Sequence, residues 1–286
     1  MKLDLLQPKL THRVLIYGAP KIGKTLQVGL LANWYNLWWL DLEDGVKTLS
    51  YNLPKPLQER INVIQIPDTR NYPIAIETVY KLITLKKGFI CDEHGKWNCM
   101  LCMKDEKKTR TEIDLRAFGT NDILVMDSST QLANSAMNSI TRDKDDGYKA
   151  TWDDYAKQGT SLDRIYTTWQ QCDYNLICTS HEIMVKMEDD KEKIVPIGGT
   201  SNFSRTFAKY FDSVVYGELK NKKHAYGSAT NYGLNILTGS RTNAAIEKGT
   251  LPNLMSLFNG VDKERQLMRL EELYAYITMQ GQGAHS

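Results

Sequence analysis

The 286-residue sequence contains no apolar run approaching the length of a membrane span, which argues against an integral membrane protein. Its first residues, Met1-Lys-Leu-Asp, lack the charged and apolar regions of a secretory leader, so a cytoplasmic location is expected. Charge of one sign is also missing. A net charge of +2 gives no whole-molecule attraction for polyanions, so any nucleic-acid contact must come from a local basic surface. Cysteine is sparse and odd in number, five in all, and three of the five crowd between Cys91 and Cys102. A disulfide scaffold would spread them, which leaves a metal site as the better reading. Internal repeats and low-complexity tracts are absent, and the Gly/Ser/Gln tail after Met279 is expected to fray.

What is present begins with the run Gly18, Ala19, Pro20, Lys21, Ile22, Gly23, Lys24, Thr25. It comes after the β-rich Arg13-Val-Leu-Ile-Tyr17 and precedes an apolar-periodic stretch from Thr25 to Trp34, the strand–loop–helix setting a phosphate-binding loop requires. Consecutive backbone N–H groups in a glycine-permitted turn, at the positive end of a helix, face phosphate oxygens. Lys24 would reach the β- and γ-phosphates of ATP, and Thr25 would offer its hydroxyl to Mg²⁺. The acidic end of Asp122-Ile-Leu-Val-Met126, Asp127, supplies the second Mg²⁺ group, with a helix N-cap as the structural alternative. Glu43, in Asp41-Leu-Glu43-Asp-Gly45 after the strand Asn36–Leu42, is the candidate base for a hydrolytic water. Strand alternation predicts Asp41 and Glu43 on one side.

Further strands are expected at Ile61–Ile66, Tyr174–Thr179, Ser213–Tyr216 and Tyr232–Leu237. Helical spacing marks Ile74–Leu85, a stretch through Leu162, Ile165, Tyr166 and Trp169, and Asp262–Ile277. Alternating strands and helices predict an α/β fold, a mostly parallel sheet covered by helices on both faces. No linker divides the chain, so the organisation predicted is one domain, 1–286, carrying a small insertion at 88–112. That insertion holds Cys91, His94, Cys99 and Cys102, a C-x₂-H and a C-x₂-C that can close a four-ligand Zn²⁺ site of structural type, though spacing alone does not exclude iron. Lys104, Lys107, Lys108 and Arg110 make its flank basic, either solvated or touching nucleic acid. Cys172 and Cys178 sit in apolar stretches and read as core.

The order of glycine loop, strand ending Asp-x-Glu and strand ending Asp-Ser resembles the RecA-like recombinase core. Leu176-Ile-Cys-Thr-Ser-His181 looks like its strand ending in a γ-phosphate-sensing switch residue. Gly198-Gly-Thr-Ser-Asn-Phe through Phe211-Asp-Ser-Val-Val-Tyr216 is similar to the glycine pair, helix and strand beyond its second DNA-binding loop. Within that group the chain most resembles the phage Sak-type single-strand annealing ATPases. The resemblance covers residues 12–240. It implies ATP hydrolysis with Glu43 as the water-activating group and His181 as the switch, where the usual residue is Gln; the alternative for His181 is a satisfied strand-end histidine. It also implies a homo-oligomer acting on single-stranded DNA, conceivably with a single-strand DNA-binding protein. Glu182 to Asn202 would be the DNA loop, although Glu188, Asp189, Asp190 and Glu192 offset Lys186, Lys191 and Lys193. A cation from a neighbouring subunit would come from Lys220, Lys222 or Lys223, or from Arg241 or Lys248. Two other readings stay open: a nucleotide-switched assembly protein that binds a partner through its zinc knuckle, and a helicase or helicase loader.

Overall fold

Each central strand carries apolar residues on both faces, and this decides the architecture. In strand β1 (Arg13–Gly18), Leu15 and Tyr17 enter one buried cluster while Val14 and Ile16 enter another. Strands β2 (Asn36–Asp41), β6 (Asp122–Asp127) and β7 (Asn175–Lys186) divide in the same way, as a sheet covered on both sides demands. In the computed structural model the described residues are 11–105, 107–186, 192–220, 223–227 and 239–240, with side chains described through Gly217.

The main sheet runs β10-β9-β1-β7-β6-β2-β3, where β3 is Ile61–Gln65, β9 is Ser213–Lys220 and β10 is Lys223–Gly227. All pairs from β9 to β3 are parallel, and β10 and the short β11 (Gly239–Ser240) join β9 antiparallel. One face is covered by helices α4 (Ala75–Leu85), α6 (Ser129–Thr141) and α7 (Trp152–Gln170). The other carries α1 (Lys24–Gly29) and α2 (Lys47–Asn52). The fold is therefore the mostly parallel α/β sheet with helices on both faces that the sequence predicts. Two short helices, α3 (Lys55–Gln58) and α5 (Met100–Met103), lie in connections.

Two expectations need correction. The helix after the glycine loop does not run unbroken to Trp34; it ends at Gly29 and tightens into a 3₁₀ turn at Leu30–Asn33. Gly29 packs directly against Leu49 of α2, and the tighter turn buries Leu30, Leu31 and Ala32 under the sheet. Second, β7 does not stop at Thr179. It continues to Lys186 and pairs antiparallel with β8 (Glu192–Pro196), so residues 182–186 and 192–196 of the expected DNA loop are paired strands. Apolar residues face one another across that pairing, Ile183 opposite Val195 and Met184 opposite Ile194. The Cys/His insertion is docked on the core. Its strands β4 (Lys87–Cys91) and β5 (Arg110–Asp114) pair antiparallel, and Ile90, Trp97 and Ile113 belong to the larger core cluster. The expected strand 232–237, helix 262–277 and tail lie outside the described residues, as do Lys191, Lys222, Arg241 and Lys248.

Candidate functional site

The glycine loop leaves β1 at Gly18, whose φ of +153° and tight surroundings admit no side chain: a Cβ there would lie 2.3 Å from the Gly217 carbonyl oxygen. Lys21 and Gly23 also take positive φ, 66° and 86°, so Ala19, Pro20 and Ile22 sit within a backbone turned to present its N–H groups inward. Lys24 is buried, and its Nζ donates to the carbonyls of Gly18 (3.0 Å) and Ala19 (2.9 Å). Burial lowers its pKa, partly offset by the charges of Asp127, Glu43 and Glu182.

Sheet register brings the distant residues to this loop. Gly18 lies beside His181, and Asp41 beside Asp127. Thr25 Oγ1 donates to Asp127 Oδ2 at 2.9 Å, and the Thr179 hydroxyl donates to Asp127 Oδ1. Burial drives the Asp127 pKa up to about 6, against those two hydrogen bonds and with added repulsion from Glu43 and Asp41. A fully buried carboxylate carrying two acceptor oxygens beside a threonine hydroxyl is the donor set that suits Mg²⁺. Gly45 closes this corner. A Cβ on it would come within 3.4 Å of Asp127 Oδ2 and 3.7 Å of Thr25 Oγ1, crowding any cation held by both. Gly45→Ala is therefore expected to raise the Mg²⁺ concentration for half-maximal ATP turnover about tenfold, equivalent to roughly 1.4 kcal/mol. An unchanged Mg²⁺ titration would remove this corner as the cation site.

Strand β2 ends at Asp41, and Leu42 still falls in the same buried cluster as Leu40, so the alternation reaches beyond the strand's last residue. Asp41 turns inward to accept from the N–H groups of Gly45 (3.0 Å) and Val46 (3.4 Å). Glu43 instead accepts from the Ser128 hydroxyl and lies 3.5 Å from His181 Nε2. Burial raises its pKa, but the hydrogen bonds from His181 and Ser128, with the charges of His181 and Lys24, outweigh this and lower it overall. His181 Nδ1 is 3.4 Å from Lys24 Nζ, and its backbone N–H donates to Thr130 Oγ1 at 3.0 Å. One imidazole thus spans the loop lysine and the candidate base. Sequence reasoning did not single out Ser128, Thr130, Thr179 or Gly45. The small polar residues that come after or close each acidic strand end were the available signal.

The second constellation lies in the β4–β5 hairpin. Cys91, His94, Cys99 and Cys102 hold their ligand atoms within 4.8 Å of one another. His94 Nδ1 is 3.8, 3.7 and 3.3 Å from the sulfurs of Cys91, Cys99 and Cys102. Tetrahedral bonds to Zn²⁺ of about 2.3 Å from sulfur and 2.1 Å from nitrogen place such atoms roughly 3.5–3.8 Å apart, so the donors fit the ion. Each ligand pair sits on a tight turn, closed by Gly95 N–H to Cys91 O (2.8 Å) and Met103 N–H to Cys99 O (2.9 Å). Burial raises the Cys99 thiol, but the N–H groups of Cys102 and Leu101 outweigh it and bring it down to about 7, favouring thiolate. The turn is docked on the core: Tyr72 Oη donates to His94 O (3.0 Å), and Thr78 Oγ1 donates to Gly95 O (2.7 Å).

No helix among the described residues is long and apolar enough to cross a membrane. The basic run around Lys220 and Lys223 is described only as backbone, in β9 and β10. Among known proteins, no curated sequence matches the chain. Among solved structures, it is similar to an ATPase from the type III secretion system of pathogenic bacteria, with 13% identity and a TM-score of 0.44. That likeness covers 86% of this chain and 60% of the other, so the chain spans less than two thirds of that protein. Residues 11–244 match the AAA domain family, a span that takes in the glycine loop, Glu43, Asp127, His181 and the cysteine hairpin. On that match the chain belongs to the AAA domain family.

Proposed function

We propose that the protein binds single-stranded DNA under the control of ATP, acting in strand annealing or recombination in the manner of the Sak-type ATPases it resembles. The observation that carries this reading is the position of His181. It touches Lys24 and Glu43 at the phosphate end of the site and is also a residue of β7, which continues into the β7–β8 hairpin. A change in charge at the nucleotide phosphates therefore meets the same strand that carries the hairpin. Two surfaces suit unstacked bases: Met184 on the hairpin is 59% exposed, and Trp152 at the start of α7 is 89% exposed with Tyr155 one turn on.

In this reading Lys24 and the N–H groups of residues 18–25 hold the β- and γ-phosphates, and Thr25 and Asp127 hold Mg²⁺. Bound Mg²⁺ supplies charge neutralisation at the bridging oxygens. Glu43 accepts the proton of the attacking water, and Ser128 and His181 keep its carboxylate ionised and aimed. The zinc ion, held by Cys91, His94, Cys99 and Cys102, is structural because four protein ligands leave no open position. The whole of residues 1–286 would act as one ATPase domain in the cytoplasm, assembled with further copies of itself. A neighbouring copy would supply a cation, and a single-strand DNA-binding protein is a natural companion on the same strand.

ATP should tighten single-stranded DNA binding, and DNA should favour the ATP-bound state by the same factor. The measurement is fluorescence anisotropy of a labelled oligothymidylate with ADP and with a non-hydrolysable ATP analogue. His181→Ala should shrink the difference between the two nucleotides while ATP affinity stays close to wild type. Negligible DNA binding in both states would sink the reading. It would then favour the nucleotide-switched assembly protein, for which the exposed Met100, Leu101 and Met103 beside the zinc ligands offer an apolar contact. Strand unwinding in the same assays would point to a helicase.

A further inference from the structure

The docked zinc turn separates two recesses of opposite character. On the Glu43 side lies a cavity of about 660 Å³ lined by Asp41, Glu43, Asp44, Asp68, Asp92 and Glu93, with no lysine or arginine. On the far side lies a cleft of about 190 Å³, where Lys96 of the turn meets Lys81 of α4 and Arg142 at the end of α6. Glu77 is the only carboxylate lining that cleft. It pairs with Lys81 at 2.5 Å, which leaves two cations in excess. Lys96 has no carboxylate partner among the described residues, and its ammonium is held over the Tyr72 ring at 5.4 Å. Among the described residues, the carboxylate that Arg142 meets is its exposed chain neighbour Asp143, at 3.5 Å. Three separate elements thus bring cations to one recess on a chain whose overall charge is nearly balanced.

We infer that this cleft binds a backbone phosphate of single-stranded DNA, which makes the zinc hairpin a nucleic-acid contact as well as a structural staple. The inference rests on the single-strand reading above and adds a site to it. A phosphate oxygen is the ligand that two or three converging cations select, and a recess of this size takes one phosphate with its sugar. Arg142 presents a guanidinium fork and Lys96 a point charge, a pairing suited to holding a strand's path without reading its bases. The Tyr72 ring, which also contacts the zinc turn through His94 O, fixes Lys96 over the recess. The tie between metal and DNA is then direct: zinc holds the turn, and the turn presents Lys96.

The test is oligothymidylate binding by the full chain, measured by anisotropy over a salt series, for wild type, Lys96→Glu, Arg142→Glu and the double variant. The double variant should bind at least tenfold more weakly. The double variant should flatten the slope of log affinity against log salt by about 0.7, the value for one phosphate contact on a single strand, and each single substitution by part of that. Zinc content and ATP turnover without DNA should stay at wild-type values. Arg142→Glu lies on α6, away from the ligands, and carries the test alone if Lys96→Glu loses zinc. Wild-type affinity and slope in Arg142→Glu would overturn the cleft while leaving the single-strand reading intact. No DNA binding by the wild type would overturn both. Inorganic phosphate at millimolar concentration serves as a comparator: if it displaces DNA fully from the wild type, the cleft is a site for free phosphate rather than for a strand.

Discussion

Glu43→Gln is expected to bind ATP as tightly as the wild type and to hydrolyse it about 10²- to 10⁴-fold more slowly, the usual cost of losing a general base. That loss corresponds to roughly 2.7–5.4 kcal/mol on the barrier. Glutamine matches glutamate in size and can still accept from the Ser128 hydroxyl, so the strand ends and the glycine loop keep their positions. What it cannot do is take a proton. The carboxylate is held ionised because hydrogen bonds from His181 and Ser128 and the nearby Lys24 outweigh its burial. Asp127 is committed elsewhere in this reading, since with Thr25 it holds the Mg²⁺ corner rather than the attacking water. Asp44→Asn is the control. Asp44 is 56% exposed and paired with Lys47, so its removal should leave turnover within a factor of two or so, in keeping with a surface ion pair. The checks are nucleotide affinity by calorimetry and phosphate release under single-turnover conditions. Wild-type release in Glu43→Gln would take Glu43 out of the reaction.

The parts of this site that are legible in the sequence are those fixed by short-range geometry. Gly18 to Thr25 is contiguous and is flanked by its own strand and helix. Cys91, His94, Cys99 and Cys102 occupy two tight turns whose spacing is set by the turn itself. Asp127 ends a run apolar enough to be a central strand. The parts that stayed hidden depend on which strand lies beside which. Thr179 meets Asp127 because β7 lies beside β6, and His181 meets Lys24 because β7 also lies beside β1. No local pattern encodes either neighbour. Glu43 shows the limit in another way: period-two reasoning sets it near Asp41 but gives neither of its partners, Ser128 and His181, which come from other strand ends. The pairing of β7 with β8 was obscured by the charges of residues 186–193, which read as loop although short apolar, β-branched runs flank them.

Replacing Cys99 and Cys102 together by Ser should release the metal, about one Zn²⁺ per chain, and should also lower the stability of the ATPase core. From the sequence alone, a segment this short reads as an insertion that could loosen by itself. The packing predicts otherwise. Trp97, between the two ligand pairs, is 6% exposed and belongs to the same cluster as Leu40, Ile64 and Leu82. Burial of one large side chain is worth about 1.5–3 kcal/mol. Gly95, at φ +60°, sits so close to β3's end that a Cβ would meet Pro67 at 2.6 Å, and its carbonyl accepts the buried Thr78 hydroxyl. If the turn loses its metal, that hydroxyl loses its partner and Trp97 loses the frame that inserts it. Around the ligands themselves the packing is small, because Cys91, Cys99 and Cys102 with Phe89 form a cluster of their own. Structural zinc in short peptides contributes roughly 10–16 kcal/mol of apparent binding energy, so its loss is felt wherever the site is coupled to folding. Elemental analysis should therefore find no zinc in the double variant, and its melting temperature should fall by several degrees, as about 2 kcal/mol implies for a chain of this size. Zinc-free protein with an unchanged melting temperature would show the hairpin to be energetically separate from the core. Wild-type protein prepared without chelator and free of bound metal would discard the zinc site itself.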